Sequence, residues 1–359
     1  MKDIYTEIVN ALEAKEQLAV ATIINRVGSA PREAGAKYLV KKNGTTIGSI
    51  GGGCVEADVW QEAGKTMEKG EGKILHFNLT SEQLAEGGLI CGGNIDIFLE
   101  PLREDFLDIY QEVLKIRQQG GGGILATVIS VDGASQKRED VKMFIKASGE
   151  KTGSLFVGEE LERRILGEAE RLLKTKKIEV MTVSSLETDH PWKKLEILLE
   201  PIFSEPTVYI FGAGHISQQL VPLVKKVHFK TVVIDDREMF ANRELFPEAD
   251  EVIVTEFEKA FEQLTIDQSS YIVIVTRGHL YDGLILGNAV NTGAHYIGMI
   301  GSRKKIQTLY KNLAKEGIPE GLLKRVHAPI GLDIGSETPE EIAVSIVAQL
   351  IKERRGKLA

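Results

Sequence analysis

The chain has 359 residues, too many for one ordinary core, and the length implies two or three domains of about 100–150 residues each. Hydrophobic residues at 43% and charged residues at 27% describe a globular protein, and no apolar run approaches the ~18 residues that crossing a membrane requires. A net charge of −8 without a basic stripe excludes a dedicated nucleic-acid binder, while two cysteines and an N-terminus without a secretory pattern lead us to expect the cytoplasm.

The first elements follow from periodicity. Ile4 to Ala14 reads as an amphipathic helix, Leu18 to Ile24 as an apolar strand, and Lys37 to Val40 as a second strand that turns at Asn43-Gly44 into a third around Thr46-Ile47. A helix over Val55 to Lys69 and a closing strand over Ile95 to Leu99 complete the unit. Three loops punctuate it: Gly28-Ser29-Ala30-Pro31-Arg32, Gly51-Gly52-Gly53-Cys54 and Cys91-Gly92-Gly93. The backbone N–H groups of Gly51, Gly52 and Gly53, between a strand and a helix, suit an anion-binding nest, with Arg32 as a cation for a phosphate. Cys54 just inside a helix N-terminus, and Cys91 beside two glycines, are candidates for thiolate chemistry toward sulfur, a metal or an electrophile, against the simpler reading of small buried hydrophobes. No Cys-x-x-Cys or His-x-x-x-His spacing exists, so no resident metal site is expected.

At an offset of 105 residues the unit repeats. Asp3-Ile4-Tyr5 aligns with Asp108-Ile109-Tyr110, Lys37 with Lys142, Gly44 with Gly149 and Gly48-Ser49 with Gly153-Ser154. Both copies end alike, at Leu99-Glu100-Pro101 and Leu199-Glu200-Pro201. Glycines holding one register mark turns that both copies need. The second copy has Gly133-Ala134-Ser135-Gln136-Lys137 and Phe156-Val157-Gly158-Glu159 where the first has its loops, and nothing matching Cys91-Gly92-Gly93. The framework is shared and the special residues are not, which favours a functional reading of them.

From Thr207 the pattern changes. Thr207 to Phe211 is a continuous apolar strand, Gly212-Ala213-Gly214-His215 a glycine turn, Ser217 to Val227 a helix, and Thr231 to Ile234 a strand ending at Asp235-Asp236. That order is the Rossmann arrangement, in which the turn takes phosphates and the acid takes ribose hydroxyls; Ser217 stands where the third glycine of the fingerprint would be. Strands at 251–254, 271–275 and 296–300 follow, placing Thr276-Arg277-Gly278-His279, Asp282, and Gly301-Ser302-Arg303 near the same crevice. Thr338-Pro339-Glu340-Glu341 is a capping box that starts the last helix. The expected fold is α/β, with a C-terminal Rossmann-type parallel sheet (205–359) preceded by two copies of an α+β module (1–105 and 106–204).

The three loops of the first copy resemble the N-terminal module of the XdhC/CoxI family. Phe211 to His215, Asp235-Asp236-Arg237, Tyr296 to Arg303, and Ala328-Pro329-Ile330-Gly331-Leu332-Asp333-Ile334-Gly335 are similar to its C-terminal domain, although Thr276-Arg277-Gly278-His279 departs from the family's Thr-His-x-His form. The resemblance implies an accessory protein that binds molybdenum cofactor, as molybdopterin or its cytidine dinucleotide. It would assist sulfuration with a cysteine desulfurase and deliver the cofactor to xanthine dehydrogenase or a related molybdenum hydroxylase. On that reading Cys54 and Cys91 flank the cofactor head group, Arg32 and Gly51 to Gly53 hold phosphate, and Gly212, Gly214, His215, Asp235, Ser302 and Arg303 hold a nucleotide portion, in a homodimer. Two alternatives stay open: an NAD(P)-dependent oxidoreductase and a non-catalytic interaction scaffold.

Overall fold

Asp3 starts the first helix by accepting the Thr6 N–H at 3.0 Å, and α1 (Ile4–Glu13) then buries Tyr5, Ile8, Val9 and Leu12 along one face. The computed structural model describes residues 3–78, 93–134, 140–184 and 192–356, which form two compact units, Met1–Phe203 and Ser204–Ala359. Among the described residues no helix is long and apolar enough to cross a membrane.

In the first unit, β1 (Leu18–Val27) is the centre of an antiparallel sheet with β2 (Lys37–Lys41), β3 (Thr46–Gly48), β4 (Lys73–Asn78) and β5 (Asn94–Leu102), in the order β3-β2-β1-β5-β4. Seven consecutive buried residues open β1 because both faces are covered. α1 packs on the face carrying Val20 and Leu39, while α2 (Gly53–Lys69) lays Val59 and Ala63 on the face carrying Ala19, Ala21 and Ile23. The second copy repeats this: α3 (Leu107–Gln119), β6 (Gly122–Val131), β7 (Val141–Lys146), β8 (Lys151–Leu155), α4 (Glu159–Thr175), β9 (Glu179–Ser184) and β10 (Lys194–Phe203), with sheet order β8-β7-β6-β10-β9. Gly48 and Gly153 show the shared framework most directly. At φ of +88° and +82°, a Cβ on either would lie 2.4 or 2.5 Å from the carbonyl oxygen of Lys37 or Lys142.

The copies meet through equivalent residues, as the halves of a two-fold dimer do. Tyr5 and Tyr110 lie 6.5 Å apart ring to ring, and Ile24, Phe98, Ile129 and Leu198 share one small apolar cluster. Two ion pairs cross the junction: Lys37 to Glu200 at 2.6 Å and Lys142 to Glu100 at 3.0 Å. Each lysine also donates to a threonine of its own copy, Thr22 at 2.8 Å and Thr127 at 2.7 Å. Burial disfavours the charged Lys37, yet the carboxylate of Glu200 more than offsets this and its pKa is raised.

In the second unit β11 (Thr207–Phe211), β12 (Lys230–Asp235), β13 (Glu251–Val254), β14 (Ser270–Ile274) and β15 (Tyr296–Met299) form a wholly parallel sheet of order β13-β12-β11-β14-β15. The chain leaves β11 toward β12 on one side and returns to β14 on the other, so the order reverses beside β11, where open sheets place their ligand crevice. α5 (His215–Lys226) covers one face; α6 (His279–Ala289) and α7 (Arg303–Lys315) cover the other. α8 (Pro339–Arg355) joins α5, started by the expected box in which Thr338 and Glu341 cap each other's backbone. α5 begins at His215 rather than Ser217, which brings its first turn up to the glycine turn.

Candidate functional site

The loops of the first copy, distant in sequence, converge within their unit. A Cβ on Gly51 would lie 3.2 Å from the ring of Pro31, and one on Gly93 would meet the carbonyl oxygens of Ser29 and Val27 at 2.5 and 2.6 Å. The loop 28–32 therefore lies against Gly51 and Gly93, two positions at which a side chain would be crowded. Cys54 sits in the first turn of α2 as an exposed free thiol, and Arg32 is exposed. Cys91 and Gly92 lie outside the described residues.

Gly51, Gly52 and Gly53 take φ of +131°, +81° and +61°, a run that side-chain-bearing residues resist. The concavity they form is occupied by the chain itself. Glu56 accepts the N–H groups of Ile50 at 3.0 Å and Gly52 at 2.9 Å and the Ser49 hydroxyl at 2.7 Å, while Gly51 N–H donates to Ser49 Oγ at 3.3 Å. Burial raises the Glu56 pKa, but these hydrogen bonds outweigh it and the net direction is down. Of the three amides that sequence alone offers to a phosphate, that of Gly52 thus already holds a carboxylate and that of Gly51 the Ser49 hydroxyl. The signal was present in the sequence: a glutamate in the first turn of a helix, where its dipole favours negative charge.

In the second unit, a Cβ on Gly212 would lie 2.6 Å from the Val275 carbonyl oxygen and 2.9 Å from Thr276 Cα, so glycine lets the end of β11 press against the end of β14. Asp235 is buried and holds the turn, accepting the Ala213 N–H at 2.8 Å. Arg237 occupies the rest of that carboxylate, with its backbone N–H at 3.1 Å, Nε at 2.8 Å and Nη2 at 3.1 Å. Burial pushes the Asp235 pKa up, and Arg237 and the Ala213 N–H bring it below the usual value. The acid expected to take ribose hydroxyls is thus engaged by the protein. His215 is exposed at the start of α5; Ser302 caps α7 by accepting the Lys305 N–H at 3.3 Å, with Arg303 exposed beside it. Asp282 is fully buried, bonded by Thr276 Oγ1 at 2.5 Å and by Lys305 Nζ, and so ties two helices together. No group of three or more His, Cys, Asp or Glu side chains is arranged for a metal among the described residues.

Comparison with known proteins bears on both units. The profile of the XdhC Rossmann domain matches residues 208–350, and that of the XdhC and CoxI family matches twice, at 11–78 and 116–184, once in each copy. The chain belongs to the XdhC and CoxI family. A Bacillus subtilis protein, named as a probable xanthine dehydrogenase subunit, is 29% identical over 99% of this chain and 98% of its own length. A crystal structure from Bacillus halodurans, titled a xanthine dehydrogenase, superimposes with a TM-score of 0.75 at 27% identity, covering 98% of this chain and 96% of that one. The Escherichia coli molybdenum cofactor insertion chaperone PaoD is 33% identical over 95 residues, 26% of this chain and 30% of its own. In this XdhC-type chain, the Rossmann glycine turn and the loops at 28–32 and 51–54 fall within the matched spans.

Proposed function

We propose that this protein is a maturation factor that holds molybdenum cofactor, assists its sulfuration and passes it to xanthine dehydrogenase or a related molybdenum hydroxylase. The observation that carries this reading is that Gly51 and Gly93 both press on the loop 28–32 in the copy that also carries an exposed thiol in the adjoining helix turn, on a framework that its twin builds without these residues. The names of the relatives, a cofactor insertion chaperone and a probable component of xanthine dehydrogenase, support the same role.

The residues fit such a group. Cys54 offers a soft sulfur donor of the kind that molybdenum accepts, and Arg32 a planar cation matched to a pterin phosphate. With Glu56 filling the glycine concavity, the glycines shape the loop and Arg32 supplies the charge that binds. The bound cofactor supplies the metal centre whose sulfur ligand the client enzyme needs; this chain's residues bind it, orient it and shield it. Cys91 is the second sulfur donor in this reading, a cysteine desulfurase the sulfur source, and a homodimer the working form. The Rossmann unit, taken by itself, binds a nucleotide at its glycine turn.

The test is the protein purified from cells that make the cofactor. Cys54→Ala with Cys91→Ala should lower the molybdenum retained per chain and the activation of a co-expressed client, with the fold intact by circular dichroism. Undiminished retention and activation would remove the cysteines from the mechanism.

A further inference from the structure

Asp235 ends β12 and Asp236 follows it, and the structure gives them different work. Both oxygens of Asp235 are committed to Ala213 and Arg237, so it shapes the turn. Asp236 reaches elsewhere: its Oδ2 accepts from Arg277 Nη2 at 3.1 Å, and its Oδ1 is buried without a hydrogen-bond donor, 3.6 Å from Arg237 Nε. A buried acceptor lacking a donor is an unfilled hydrogen-bonding position.

The position of this pair follows from the register. Ile234 and Ile274 both pair with Phe211, from opposite sides of β11; Asp236 lies two residues beyond the first and Arg277 three beyond the second. Neighbouring strands are about 4.8 Å apart, so the ion pair spans the end of β11, where Gly212-Ala213-Gly214 leaves the sheet. Nothing lies within 4 Å of a Cβ placed on Gly214 or Gly278, so the backbone of the glycine turn and that after Arg277 are each open at those positions. The two ends of the pair differ in access. Arg277 is 44% exposed and Asp236 20%, so the arginine is the end free to move, and a diphosphate offers its guanidinium two charged partners.

We infer that Asp236 and Arg277 form a latch across the glycine turn that a ribonucleoside diphosphate group opens, Arg277 moving to the diphosphate and Asp236 accepting the ribose hydroxyls. In the closed latch each side chain stands in for the ligand group that its partner will bind. The inference rests on the nucleotide part of the proposed function and assigns ribose recognition to Asp236 in place of Asp235. It also gives a purpose to Arg277, at which this chain departs from the Thr-His-x-His form. A 2′-phosphate is refused, because Asp236 would face a like charge.

Titration calorimetry on the full chain tests this with CDP, dCDP and inorganic pyrophosphate. The wild type should bind CDP about tenfold more tightly than dCDP, the value of one hydrogen bond to a charged acceptor. Asp236→Asn should abolish most of that preference and raise pyrophosphate affinity by up to about fivefold, since Arg277 is released. Arg277→Gln should weaken all three ligands. The latch is overturned if the wild type binds none of them, if Asp236→Asn keeps the preference for CDP, or if Arg277→Gln leaves pyrophosphate unchanged. Molybdenum content, measured separately, keeps the two readings apart: retained molybdenum without CDP binding removes the latch alone, and CDP binding without molybdenum removes the maturation role alone.

Discussion

Where the first copy has Gly52 and Glu56, the second has Val157 and Leu161, and the same strand-to-helix turn is made in two chemistries. Val157 and Leu161 are buried and plug the turn with hydrocarbon. In the first copy the carboxylate of Glu56 gathers the N–H groups of Ile50 and Gly52 with the Ser49 hydroxyl, and Gly51 lies close against Pro31. The apolar plug satisfies the fold at no cost in buried polar groups, so the polar version is more than the fold demands. The comparison separates framework, which both copies keep, from the loops that only one displays.

The crossed ion pairs are the strongest test of that framework. Lys142→Ala should cost about 3–5 kcal/mol in denaturant unfolding of the full chain, because buried Glu100 loses the ammonium bonded to it. Lys142→Met combined with Glu100→Leu should recover most of the loss; a single variant costing under about 1 kcal/mol would mean that the pairs do not hold the copies together. A smaller effect probes equivalence. Gly48→Ala and Gly153→Ala should each cost about 1–3 kcal/mol, since each puts a Cβ at positive φ against a carbonyl. Clearly unequal losses would break the correspondence between the two sites.

The smallest effect sharpens the difference between the copies. Glu56→Gln should cost about 1 kcal/mol at neutral pH, because a neutral amide accepts the same hydrogen bonds less strongly. The folded pKa of Glu56 lies below its ordinary 4.5, so the advantage of the wild type is complete well above that value. It shrinks as pH falls toward 4.5 and vanishes below the depressed folded value. Stability curves of the two proteins against pH that stay parallel through the acid range would show that the carboxylate is not what holds the loop.

Much of this architecture is legible one segment at a time. Apolar periodicity shows the helices and strands, the 105-residue offset shows the duplication, and the strand–glycine turn–helix–strand–acid order shows the parallel sheet. The site is less legible. Glycines at 51 and 93 advertise tight backbone, but not that both press on the loop at 28–32, and an aspartate at the end of β12 does not reveal that Arg237 already holds it. Cys91 lies outside the described residues.

By itself the sequence determined what neighbours along the chain decide: where helices start and stop, which turns need glycine, and that one module occurs twice. Only the tertiary structure decided partnership. That Lys37 of one copy meets Glu200 of the other, that Glu56 fills the glycine concavity and that Arg277 reaches across β11 to Asp236 all depend on which buried or half-buried charges the fold leaves nearest one another. A charge taken out of water needs the nearest available counterpart, and nearness in space is not written in spacing along the chain.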